Sequence, residues 1–311
     1  MRKHPAIEYD ETAMGITTGL ITVRGPEYHP NLRLTEAARE RGHRIILVHP
    51  YRVWPDLIGG KFAFSGIPET QIPDIVLPRQ GATIGESCLA LIHQFCLMGI
   101  PVVNNLDSIR ISKNKFLTLQ VLAAAGIPIP DTLFVNSEEG LWDAVKRLGG
   151  TPLVAKQVSG RQGTGVILFD SINSIALSIK DYLDRRSGLL IQRFIPPAGR
   201  KDIRVLVIGG EVAGAMELKP REGDFRANFH LSGESYPKDL SLDLARIAVK
   251  SVAAVGLDIG GVDLLLDKKD RAYVIEVNYS PGFKGLEAAT GIDIAGRIVD
   301  YAVEISRKNR V

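Results

Sequence analysis

Three oxygen-bearing side chains interrupt the apolar stretch GGVDLLLDKKDRAYVIEVNYSPG, residues 260–282. Runs rich in Val, Leu and Ile flank the turn composition KKDR, so the segment reads as a β-hairpin. With Lys269 and Asp270 at its tip, Asp263 falls opposite Glu276. Strand side chains alternate faces, which puts Asn278 on the face of Glu276. Opposed carboxylates repel, and burying either without a partner is costly, so something positive must sit between them. Two carboxylates and an amide are hard oxygen ligands, which suits Mg2+ or Mn2+ and not zinc. A salt bridge to a nearby Lys or Arg answers the same electrostatic need.

Two further stretches carry matching chemistry. In PLVAKQVSGRQGTGVILFD, Lys156 sits in a strand beside Val154 and Val158, ahead of a loop containing Gly160, Gly163 and Gly165. Glycines let backbone N–H groups approach a phosphate closely. The loop is not a P-loop, because no helix follows and G-x-x-x-x-G-K-[ST] is absent; the plain alternative is a mobile turn beside a salt-bridged lysine. In GDFRANFHLSGE, Arg226, Asn228 and His230 alternate and share a face if extended. KDIRVLV supplies Arg204, and arginine suits the bidentate holding of carboxylate or phosphate. His230 alone reads as a hydrogen-bonded structural residue. There is no G-x-S-x-G and no cysteine in a polar motif, so covalent catalysis has no candidate nucleophile. Charge neutralisation without a nucleophile suits phosphoryl transfer from a nucleotide.

The elements that must position these groups alternate at first between strand and helix. GLITVRG, RIILVHP and DIVLPRQG read as strands, and NLRLTEAARERG and GESCLALIHQFCLMG as helices. That order predicts a parallel sheet with helical crossovers over residues 19–106, with ligands beyond the carboxyl ends of its strands, where Arg79 falls. The loop after the first strand lacks G-x-G-x-x-G, which argues against a dinucleotide. The helix of SKNKFLTLQVLAAAGIPIP opens a mixed region, 107–190, and residues 191–311 hold the hairpin around GGE, a long helix and the carboxylate hairpin. The 311 residues are 45% hydrophobic and 23% charged with a net charge of +3, which is a soluble globular composition without a nucleic-acid or membrane signature. Cys88 and Cys96 are too few for a disulfide framework and point to a reducing cytoplasm. Residues 1–18 read as a polar extension without the apolar core of a signal peptide.

In combination, SKNKFLTLQVLAAAGIPIP, PLVAKQVSGRQGTGV, KDIRVLVIGGEVAGAMEL, GDFRANFHLSG and VIEVNYSPGFKGLE resemble the ATP-grasp superfamily, and within it the RimK-type α-L-glutamate ligases. The resemblance implies an ATP-grasp fold of mixed α/β and α+β class: an N-terminal pre-ATP-grasp α/β domain, a central lid domain and a C-terminal domain. It implies that Lys115 and Lys156 contact ATP phosphates, that Gly160, Gly163 and Gly165 close over them, and that Asp202, Arg226 and Asn228 reach the nucleotide. Gln192, Arg193 and Phe194 match the hinge at the adenine edge, although the family commonly has Glu where Arg193 stands. Asp263, Glu276 and Asn278 would hold one or two Mg2+ or Mn2+ ions, Arg226 and Arg204 would stabilise an acyl phosphate, and Ser280 and Gly282 would border the acceptor pocket. Arg79 or Arg204 is expected to hold the carboxylate of an incoming amino acid, most simply glutamate. The implied reaction joins that amino acid to a carboxylate-bearing acceptor, a protein C-terminus, a peptide or a cofactor tail. A kinase that stops at phosphoryl transfer is the competing reading, and a nucleotide-binding module without turnover ranks behind it. Relatives of this type are often homo-oligomers.

Overall fold

Strand Thr17–Ile21 (β1) lies at the centre of a small parallel sheet, between Arg44–Val48 (β2) and Ile75–Pro78 (β5). Helix His29–Glu40 (α1) makes the first crossover. An antiparallel hairpin, Trp54–Ile58 (β3) and Lys61–Ser65 (β4), stands apart from that sheet. Helices Glu86–Leu97 (α2), Leu106–Ser112 (α3) and Lys115–Ala124 (α4) follow. The computed structural model describes residues 15–81, 84–158, 165–196, 201–219 and 234–309. Gly160, Gly163, Arg226, Asn228 and His230 lie outside these residues.

The central region is an antiparallel sheet in the order β6-β9-β7-β8, built from Thr132–Val135 (β6), Leu153–Gln157 (β7), Val166–Phe169 (β8) and Leu189–Arg193 (β9). Helices Glu138–Arg147 (α5) and Ile172–Tyr182 (α6) accompany it. Ser137 caps α5, with Glu138 and Glu139 in its first turn and Lys146 and Arg147 in its last, in agreement with the helix dipole. Val135, Leu141, Leu153, Phe169 and Ile191 form a core confined to this region.

The last region is a five-stranded sheet, β12-β11-β10-β13-β14, made from Lys201–Ile208 (β10), Glu211–Lys219 (β11), Glu234–Pro237 (β12), Ile259–Leu266 (β13) and Ala272–Asn278 (β14). Helix Leu242–Val255 (α7) is capped by Ser241 and ends on Gly256; Lys284–Thr290 (α8) and Ile294–Lys308 (α9) close the chain. One face of this sheet, with Ile203, Val205, Val262, Leu264 and Val274, shares a core with Val76 and Phe95 of the first region. The other face is divided along its length. Leu206, Ile208, Met216 and Ile259 pack with Leu34 of α1 and Ile298 and Ala302 of α9. Further along, the same face carries Arg204, Asp263 and Glu276. The carboxylates therefore lie where an apolar face gives way to a charged one.

The sequence reading placed β1 and α1 slightly late and did not anticipate β3, β4, α3, α5 or α8. No helix among the described residues is long and apolar enough to cross a membrane.

Candidate active site

Arg204, Asp263 and Glu276 are register partners across β10, β13 and β14, so they form one row on one face. Arg204 donates from Nε to Asp263 Oδ1 at 2.7 Å and from Nη2 to Oδ2 at 2.8 Å, a bidentate fork. Burial opposes the Arg204 charge, but Asp263 outweighs it and raises the guanidinium above its ordinary value. Glu276 accepts from Lys115 Nζ at 3.0 Å. Burial works to raise the Glu276 carboxyl; Lys115, with Lys156 and Arg204 behind it, overcomes that and holds it below the usual carboxylate range. Among the described residues, Arg204 and Lys115 are thus the cations bonded to the two carboxylates.

The opposition of Asp263 and Glu276 arises differently from the expected two-residue tip. The turn spans Asp267 to Arg271, with Asp270 at φ 56°, and near it Leu264 pairs with Val274. A register shift between Asp263 and Leu264 then leaves Ile275 as an extra residue. Without that bulge Ile275 would face Asp263, and Glu276 would turn to the opposite side of the sheet.

Lys115 begins α4, where Asn114 caps the Phe116 and Leu117 N–H groups. A cation there opposes the helix dipole, and Glu276 offsets it. Lys156 donates to Gln192 Oε1 at 2.7 Å, and Gln192 Nε2 donates to Thr132 Oγ1 at 2.8 Å. Arg193 points elsewhere: its guanidinium pairs with Asp131 at 2.8 Å and is half exposed. Arg193 and Phe194 line a cavity of about 420 Å³ whose opposite wall is Asp267, Arg271 and Tyr273. Asp202 stands opposite Leu265 on the Arg204 side of β10. Gly165 accepts from the Gln157 N–H at 2.9 Å at the mouth of the β7–β8 connection.

The segment after Asn278 is fixed from three directions. Arg79 donates from Nη2 to the Pro281 carbonyl at 2.7 Å, and the Tyr279 hydroxyl donates to the Gly81 carbonyl. Buried Asn104 donates to the Ile259 and Tyr279 carbonyls at 2.8 Å each and accepts from the Asp258 and Ile259 N–H groups at 2.7 Å each. Asn278 stands opposite Gly261, where a Cβ would come within 2.7 Å of Pro281. Ser280 is half-buried and Gly282 exposed in this segment. Burial brings the Arg79 guanidinium down to about 10, so it stays charged at neutral pH.

The fold thus gathers Lys115, Lys156, Gln192, Arg204, Asp263 and Glu276 at one end of the C-terminal sheet, with Asn278 leading to Arg79. The donor set of Asp263, Glu276 and Asn278 fits a hard divalent cation, being oxygen only and aligned by register. Thr132, Asn104 and Tyr279 escaped the sequence reading. Asn104 stands in the run VVNN, where nothing in its neighbours discloses partners more than 150 residues away.

The family model of the RimK-like ATP-grasp domain matches residues 112–302, and that of the RimK pre-ATP-grasp domain matches residues 20–109. The chain belongs to the RimK-like ATP-grasp family. A probable alpha-L-glutamate ligase of Thioalkalivibrio sulfidiphilus is 36% identical over 292 residues, 93% of this chain and 96% of the relative. Among solved structures, a RimK domain ATP-grasp protein of Sphaerobacter thermophilus has a TM-score of 0.71 at 23% identity, over 92% of this chain and 99% of its own. The ATP-grasp ligase PsnB, solved with a phosphomimetic precursor variant, Mg and ADP, has a TM-score of 0.69 at 21% identity, over 94% and 99%. As a RimK-like ATP-grasp protein, the chain is an ATP-dependent ligase.

Proposed function

We propose that this ligase joins the amine of L-glutamate to the carboxylate of an acidic or peptide-like acceptor through an acyl phosphate. The observation that carries the reading is the row Arg204–Asp263–Glu276 with Lys115 at its end. An acceptor carboxylate oxygen attacks the γ-phosphorus of ATP; the new O–P bond forms as ADP leaves. The amine then attacks the acyl carbon, phosphate departs, and the nitrogen loses a proton. Mg2+, or Mn2+ in its place, held by Asp263, Glu276 and Asn278, would neutralise charge on the phosphates. Lys115 and Lys156 exchange their contacts to Glu276 and Gln192 for phosphate oxygens. Arg204 orients Asp263 and lies ready for the developing oxyanion, the role also proposed for Arg226. With Arg204 occupied by Asp263, Arg79 is the better candidate for the amino acid's carboxylate. The backbone of Gln192, Arg193 and Phe194, the nucleotide contact at Asp202, and Ser280 and Gly282 at the acceptor complete the proposed site.

The relatives named alpha-L-glutamate ligase support glutamate as the amino acid. The macrocyclase MdnC, solved with its precursor peptide, is a structural neighbour at a TM-score of 0.67. An assay of ADP and phosphate release with glutamate, with and without carboxylate acceptors, tests the proposal. Release only with both partners is expected. ADP formed without any amine would identify a kinase instead.

A further inference from the structure

The carboxyl end of the parallel sheet holds polar atoms that the fold leaves open. Arg79 Nε, His29 Nδ1 and Asn31 Oδ1 are buried and have no hydrogen-bond partner among the described residues. Unmet buried groups are rare in folded proteins, so two of them against one ring, His29 and Arg79 beside Phe283, ask for a ligand. Asn31 is 1% exposed and uses only its Nδ2, which holds the Arg24 and Gly25 carbonyls of the β1–α1 loop. His29 and Arg79 share a wall: the imidazole sits edge-on at 5.8 Å from the Phe283 ring centre, and the guanidinium lies over the same ring at 5.8 Å.

Their chemistry is complementary. Arg79 Nε is an N–H donor on a cation, which suits a carboxylate. His29 Nε2 faces Glu287 Oε2 at 3.8 Å. Burial, with Lys284 and Arg33 adding to it against Glu287 and Glu36, lowers His29 below its ordinary value. A neutral ring with its proton toward Glu287 presents Nδ1 as a lone pair, which suits an N–H. The α1 N-terminus has no side-chain cap and no acidic residue in its first turn, which further favours an anion. The place is also right. Arg79 holds the Pro281 carbonyl, three residues beyond Asn278, and three residues span at most about 11 Å.

We infer that Arg79 and His29, against Phe283, form the subsite for the head group of the amino-acid substrate, with Arg79 taking its α-carboxylate and His29 its amine. This rests on the ligase reading and adds the residues that tell an amino acid from a simple dicarboxylate. The pair recognises the head group and leaves the side chain to other contacts.

The test is calorimetric titration of the full chain, loaded with Mg2+ and a non-hydrolysable ATP analogue. The probes are L-glutamate, glutarate, which lacks the amine, and 4-aminobutyrate, which lacks the α-carboxylate. Arg79→Gln should weaken glutamate and glutarate by at least about tenfold and leave 4-aminobutyrate unchanged. His29→Phe keeps a ring against Phe283; it should weaken glutamate and 4-aminobutyrate and leave glutarate unchanged. Should Arg79→Gln fail to fold for want of its bond to Pro281, Arg79→Lys and His29→Phe carry the same crossed comparison. Unchanged glutamate affinity in both folded variants overturns the inference, as does a wild-type chain that binds no glutamate. Glutamate-dependent ADP release by the wild type reports separately on the ligase reading, so either can fail while the other stands.

Discussion

Asp263 and Glu276 each face a cation, and this decides what their removal does. Asp263→Asn would strand the buried Arg204 charge, so turnover should vanish and the fold should lose about 1–3 kcal/mol in urea denaturation. Replacing Asp263 and Arg204 together by Leu should restore much of that stability without restoring ADP release, because an apolar pair replaces a buried ionic one at little cost. Glu276 offers a pH test. Its carboxyl lies below the usual 4.5, so its pairing stabilises the chain above that value, and the contribution is lost as pH falls through the lower folded-state value. Glu276→Gln should therefore trail the wild type in urea midpoint at neutral pH and converge with it in acid, once pH has fallen through the lowered folded-state value. Lys156→Ala should weaken ATP binding by about 1.5–3 kcal/mol, measured by calorimetry. At this scale the sequence disclosed a good deal, since hard oxygen ligands, a lysine within an apolar strand and bidentate arginines are recognisable by type alone. His29 and Asn104 were not, because a lone His or Asn owes its meaning to partners that only the fold supplies.

The two glycine-pair turns show what makes an element readable. Gly209–Gly210 and Gly59–Gly60 both adopt positive φ and join adjacent antiparallel strands. The first pair lies between runs such as RVLVI and EVAGAMEL, whose near-continuous apolar character reflects a sheet packed on both faces, and it was legible. The second lies in WPDLIGGKFAFS, where Leu57 and Ile58 are 71% and 72% exposed, so no inside-outside alternation marks the strands. The carboxylate hairpin is a subtler case. The sequence placed Asp263 against Glu276 on a tight tip, whereas a longer turn and the Ile275 bulge produce the same pairing. Gly261 depends on this geometry. Gly261→Val should push the Pro281 segment away, lower stability by about 1–3 kcal/mol, and raise the Mg2+ concentration needed for half-maximal ADP release.

Across the whole molecule, charge as well as apolar packing joins the first and last regions. Asp293 caps α9 through the Gly296 N–H and also receives Arg33 at 3.2 Å and Arg41 at 3.0 Å from the α1 side. Asp293→Ala should cost about 1–2 kcal/mol in urea denaturation while ATP affinity stays unchanged. Apolar residues of the parallel sheet and of the C-terminal sheet fall within common cores, and Asn104 ties the two by four hydrogen bonds, three of them buried. Most of the central sheet encloses a core of its own, while Leu190 of β9 joins the core that the other two regions share. The proposed nucleotide would therefore lie between two jaws built differently. One is a fused block in which shared cores and Asn104 fix the spacing between the acid pair and Arg79, so any substrate spanning them would meet a distance the fold has already set.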